Sequence, residues 1–85
     1  MKVTILYFSS LREAIGQSRE TREVPSQVST AGDLRGWLIE QGGVYAQALA
    51  SSRAVRIAVD QDMADAATVL RDGAEVAFFP PVTGG

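Results

Sequence analysis

The 85 residues include no cysteine and no histidine. Disulfide staples, thiolate nucleophiles, imidazole bases and Cys/His zinc sites are excluded together, and with them most of the chemistry available to a small protein. Long apolar runs are also missing. The stretch after Lys2, from Val3 to Phe8, has the length of a strand; a secretory signal or the roughly 20 residues that span a bilayer would need more. Charge of one sign is scarce too: eight basic residues are scattered among ten acidic ones for a net charge of −2. The field that draws proteins to phosphate backbones is therefore absent. The expectation is a cytoplasmic protein with neither a membrane nor a nucleic acid as its partner. What is present, 46% hydrophobic and 21% charged residues, places the chain among globular folders of one small domain.

Residues 2–8 combine β-branched and aromatic side chains, with Val3, Ile5 and Tyr7 on one face and Thr4, Leu6 and Phe8 on the other, which predicts a strand. Ser10 and Glu13 have capping-box spacing ahead of Ala14-Ile15-Gly16, predicting a short helix. Residues 18–24 carry Arg19, Glu20, Arg22 and Glu23 and read as a charged edge strand closed by Pro25. Thr30 and Asp33 repeat the capping pattern before Leu34, Trp37 and Leu38. The Gly42-Gly43 pair then stops this principal helix rather than cradling a phosphate. A second short helix is expected over 44–51. Residues 55–59 form a strand, Asp60-Gln61-Asp62 a turn, and 63–64 a short return strand. One 3₁₀ turn is expected around Thr68 to Leu70. Asp72-Gly73 then turns the chain into a last strand, 74–79, which Pro80-Pro81 must end.

This order predicts an α+β fold with one helix packed on one face of a small mixed sheet. Its core is Val3, Ile5, Tyr7, Val55, Ile57, Val59, Val76 and Phe78 against Leu34, Trp37 and Leu38. The other face would carry Leu6, Phe8, Ala58, Ala77 and Phe79, with Met63 nearby, a strip that predicts a protein partner. Arg12 beside Phe8 is a candidate contact for that partner. Asp60, Asp62 and Asp65 imitate the start of a calcium loop, but its fifth, sixth and twelfth positions would be Ala64, Asp65 and Arg71, so no metal site is assigned.

The C-terminus holds the strongest signal. Pro80-Pro81 favours a stiff, extended exit, and the five residues from Pro81 to Gly85 can reach about 16 Å. Gly84 and Gly85 have no Cβ, so such an end threads a narrow channel and leaves its terminal carbonyl open to attack. The plainer reading is a frayed end that happens to finish in two glycines.

The segment Phe78-Phe79-Pro80-Pro81-Val82-Thr83-Gly84-Gly85, preceded by Asp72-Gly73-Ala74-Glu75-Val76-Ala77, closely resembles the end of the molybdopterin synthase small subunits, the MoaD family. Val3 to Phe8 with Leu11-Arg12-Glu13 and Gly16 resembles the family's opening. The resemblance implies a ubiquitin-like β-grasp domain over residues 1–79 and an extended tail over 80–85. It also implies a sulfur carrier, inert alone and binding no cofactor of its own. An E1-like, MoeB-like partner would use ATP to adenylate Gly85, and a sulfurtransferase system would convert the adenylate to a thiocarboxylate. The loaded tail would enter a large, MoaE-like subunit that builds the dithiolene of molybdopterin from cyclic pyranopterin monophosphate. The implied contacts are Phe8, Met63, Phe79, Pro80, Pro81, Val82, Thr83 and Arg12, with Gly84 and Gly85 as the reacting end. Other readings of the same tail are a ThiS-like carrier, a ubiquitin-type modifier of lysines, or an interaction module that is never activated.

Overall fold

A computed structural model of the protein describes residues 1–81. Strand β1, Lys2–Tyr7, buries every second side chain, as its alternation requires: Val3, Ile5 and Tyr7 are all but inaccessible. It pairs antiparallel with β2, Arg19–Glu23, on one side and parallel with β5, Glu75–Phe79, on the other. Strand β3, Arg56–Val59, lies antiparallel to β5 and continues into β4, Asp62–Ala64. The five-stranded sheet has the order β2-β1-β5-β3-β4, so β5 is central and β2 and β4 are the edges. Helix α2, Ala31–Glu40, supplies Ala31, Leu34 and Leu38 to the core on one face of the sheet, the β-grasp arrangement. Two shorter helices, α1, Ser9–Ile15, and α3, Gly43–Ala48, complete that layer. The expected core members Val55, Val59 and Trp37 are only partly buried, while Leu11, Ile15, Val24, Val28, Ala48, Leu49 and Leu70 are buried beside them.

Helix α2 starts as its capping box predicts. The Asp33 N–H donates to Thr30 Oγ1 at 3.1 Å, and the Thr30 N–H donates to Asp33 Oδ2 at 3.1 Å. Backbone N–H groups of Ser29 and Thr30 hold the Asp33 carboxyl below the usual carboxylate range. At the other end Gly42 takes φ 78°, a left-handed turn that closes α2 and opens α3. The guanidinium of Arg35 on α2 caps the chain after α3, donating to the carbonyls of Leu49, Ala50 and Arg53 at 2.7 to 2.8 Å.

Two expectations need correction, and a third, the charged edge strand, holds with an added role. Helix α1 does not use the Ser10/Glu13 box: Phe8 is its N-cap, and no side chain caps it. Helical bonding begins at the Phe8 carbonyl, which accepts from the N–H groups of Leu11 and Arg12, so Ser10 already lies inside the first turn. The reversal out of β1 is absorbed at Ser9, whose φ of 54° is left-handed. Second, 68–70 is no 3₁₀ turn. Val69 bridges Thr30, and the carbonyls of Thr68 and Ala66 accept the free N–H groups of Ala31 and Gly32 at 2.9 Å each, satisfying donors that every helix start leaves open. Third, the charges of β2 do more than discourage pairing. Glu20 Oε2 accepts from the hydroxyls of Tyr7, 2.8 Å, and Tyr45, 2.7 Å, while Arg22 reaches Glu20 Oε1 and lies 4.8 Å over the Trp37 ring. Burial, then the bond to Glu20, raises the Tyr7 hydroxyl far above its ordinary pKa.

Candidate functional site

The face of the sheet away from α2 is a floor laid out by strand register. Leu6 stands opposite Ala77, Ala77 opposite Ala58, and Ala58 opposite Met63, so four apolar side chains make one row across four strands. A second row runs through Phe8 and Phe79, where the Phe8 N–H extends the ladder by donating to the Phe78 carbonyl at 3.1 Å. Phe8 is 45% exposed and Met63 59%. Leu6, Ala58 and Phe79 are half-buried and Ala77 is buried. The alternation in β1, β3 and β5 that fills the core therefore also leaves a continuous apolar strip.

The last described residues leave the sheet from this strip. Strand β5 is paired on both sides, and Phe78 is fully buried against Tyr7, with ring centroids 6.2 Å apart. Phe79 then turns to the open face, Pro80 is half-buried and Pro81 exposed. The sheet's most constrained strand thus anchors the exit of the chain. The candidate residues Val82, Thr83, Gly84 and Gly85 lie outside the described residues. Arg12 is exposed on α1, one turn after Phe8.

The acidic run has backbone partners. Asp60 and Gln61, with φ of 51° and 72°, form the two-residue connection between β3 and β4, and Asp60 Oδ1 accepts the Glu75 N–H at 3.0 Å. Asp65 Oδ1 accepts the Ala67 N–H at 2.9 Å. These bonds set turns. Among the described residues, open recesses flank the core. One of about 290 Å³ lies beside Met63 and Arg56, and a larger one of about 610 Å³ lies between α2 and the 25–28 loop, on the far side from the strip. Two border residues were passed over in the sequence, Arg19 and Arg56. Both share the open face by alternation, opposite Leu6 and Phe79 respectively, and the spacing of Arg56 to Ala58 was the signal for the latter.

Comparison with known proteins bears on the family and the fold. The sequence model described as the ThiS family matches residues 5–85. The chain is 37% identical over 83 residues to the molybdopterin synthase sulfur carrier subunit of Escherichia coli (strain K12), covering 98% of this chain and 99% of that protein. It is 36% identical over 85 residues to the subunit of the same name from Mycobacterium tuberculosis (strain ATCC 25618 / H37Rv), covering 100% and 99%. Among solved structures, a chain of the complex of subunits 1 and 2 of the molybdopterin-converting factor from Helicobacter pylori 26695 matches over the whole of both chains with a TM-score of 0.66. At 23% identity, that match shows a shared fold. A β-grasp sheet and full-length similarity to these carriers lead to one assignment: the chain belongs to the ThiS family, with molybdopterin synthase sulfur carrier subunits among its relatives.

Proposed function

We propose that this chain is the sulfur carrier of a molybdopterin synthase and that its working group is the carboxyl of Gly85. An E1-like, MoeB-like adenylyltransferase joins that carboxylate to the AMP portion of ATP and releases pyrophosphate. A sulfurtransferase system then displaces AMP, leaving a thiocarboxylate. The thiocarboxylate passes its sulfur to cyclic pyranopterin monophosphate inside a large, MoaE-like subunit that docks on Phe8, Met63 and Phe79. Pro80, Pro81, Val82 and Thr83 line the approach, Gly84 gives it a slender end, and Arg12 touches the partner beside Phe8. The work belongs to the cytoplasm, where ATP is at hand; among the described residues no helix is long and apolar enough to cross a membrane.

The observation that carries this reading is the rooting of the tail: the central strand ends at Phe79 within an apolar strip, so a partner that covers the strip also receives whatever follows Pro81. With no cysteine in the chain, no persulfide can form on it, and an activated carboxyl is the remaining place for transferable sulfur. A carboxylate is a poor electrophile until its oxygen becomes a leaving group, which explains the need for ATP in another protein's site. The relatives' names and the two-subunit complex from Helicobacter pylori support the same partner.

Intact mass decides it. Incubation with the adenylyltransferase, ATP and the sulfur donor should add about 16 Da, the replacement of oxygen by sulfur, and fragmentation should place it on Gly85. Deleting Gly85 should leave the fold unchanged and abolish both the mass gain and dithiolene formation. An unmodified wild-type chain, or dithiolene formed with the deletion variant, refutes the proposal.

A further inference from the structure

The borders of the apolar strip are charged unevenly. Arg19 opens β2 opposite Leu6, and Arg56 opens β3 opposite Phe79. Both are exposed, and among the described residues neither makes an ion pair; the pairs seen are Met1 with Glu23 and Arg22 with Glu20. Asp65, just past β4 and near Arg56, is held by the Ala67 N–H. The carboxylates of Asp60 and Asp72 lie at the other end of the sheet, where they accept the backbone N–H groups of Glu75 and Lys2. On the open face Glu75 stands at one end of β5, near the Lys2–Glu23 register pair of β1 and β2, while Arg19 and Arg56 stand at the end where the chain leaves. The net charge of −2 conceals this polarity.

The sheet order separates β2 from β3 by three strand spacings. With a two-residue offset in register, the Cα atoms of Arg19 and Arg56 sit roughly 15 Å apart, with the tail root between them. Covering the strip strips water from both guanidiniums, which is unfavourable unless the partner supplies carboxylates. A neutral or basic rim would be rejected.

We infer that the protein that receives the tail presents carboxylates on either side of its channel mouth, and that Arg19 and Arg56 meet them and steer docking tail-first. This rests on the carrier reading above and adds the chemistry of the partner's rim. The test is stopped-flow association with the large, MoaE-like subunit from the same source, between about 20 mM and 500 mM NaCl, a range over which the Debye length shrinks several-fold. Wild-type association should slow at least ~10-fold across that range. The Arg19→Glu/Arg56→Glu variant should associate at least ~10-fold more slowly at low salt and lose the salt dependence, whereas Arg19→Lys/Arg56→Lys should stay within about threefold of wild type. Both positions are exposed, so thermal midpoints should match and confirm that the variants fold. Wild-type rates and salt dependence in the glutamate variant overturn the inference alone, as does an equal loss in the lysine variant. A wild-type chain that does not bind the large subunit at all overturns the carrier reading as well.

Discussion

Truncating Met63 to alanine separates a docking surface from incidental exposure. Met63 lies on edge strand β4, in register with Ala58, and 59% of it is exposed. Burying a whole methionine side chain is worth about 1.5 to 3 kcal/mol, so the exposed part has roughly 1 to 2 kcal/mol to offer a partner that covers it. Met63→Ala should therefore weaken binding to the large subunit roughly 5- to 30-fold. It should cost the isolated domain less than about 1 kcal/mol, because most of the side chain packs on nothing within the monomer. Val69 is the control: it is 67% exposed but pairs with Thr30 at the start of α2, away from the strip. Val69→Ala should leave the affinity unchanged within about twofold. Titration calorimetry with the large subunit measures both variants, and urea unfolding measures their stability. Unchanged affinity for Met63→Ala, or an equal loss for Val69→Ala, would refute the argument that register, rather than exposure, defines the docking face.

Two glycines on α2 should respond to alanine with opposite signs in urea unfolding. A Cβ at Gly36 meets nothing within 4 Å, so Gly36→Ala should gain about 1 kcal/mol of helix propensity. A Cβ at Gly32 would stand 2.9 Å from Ala66 Cβ and 3.0 Å from the Ala66 carbonyl oxygen, so Gly32→Ala should lose about 1 to 3 kcal/mol. Tyr7 contributes to alkaline stability. Its hydroxyl, raised by burial and by Glu20, stays protonated in the fold, so its contribution is complete below about pH 10, where an unfolded tyrosine ionises, and declines above it. Urea midpoints across that range should fall less steeply for Tyr7→Phe than for wild type. Arg35→Lys should cost about 1.5 to 3 kcal/mol, because an ammonium cannot reproduce the planar fork that reaches three carbonyls; a thermal midpoint equal to wild type would refute that role.

The sequence by itself determined what depends on near neighbours. Period-two alternation separated Val3, Ile5 and Tyr7 from Leu6 and Phe8, because adjacent side chains of any strand point to opposite faces. Thr30 and Asp33 announced α2, since a capping box closes within four residues. The same locality made Phe79-Pro80-Pro81 legible as an exit. Tertiary structure decided what depends on distant partners. The Ser10/Glu13 box is as good locally as that of Thr30/Asp33, yet the reversal at Ser9 after β1 starts α1 two residues early. Val69 follows Thr30 because the N–H groups of α2 need the carbonyls of the 66–68 loop, a demand invisible from either segment alone. Glu20 and Arg22 read as edge-strand charges until α3 brings Tyr45 and α2 brings Trp37 over them. Arg19 and Arg56 are 37 positions apart in the chain and come to flank one tail root only because β1 and β5 lie between their strands. Pairing register, set by which side chains fill the core, turns scattered charges into a pattern.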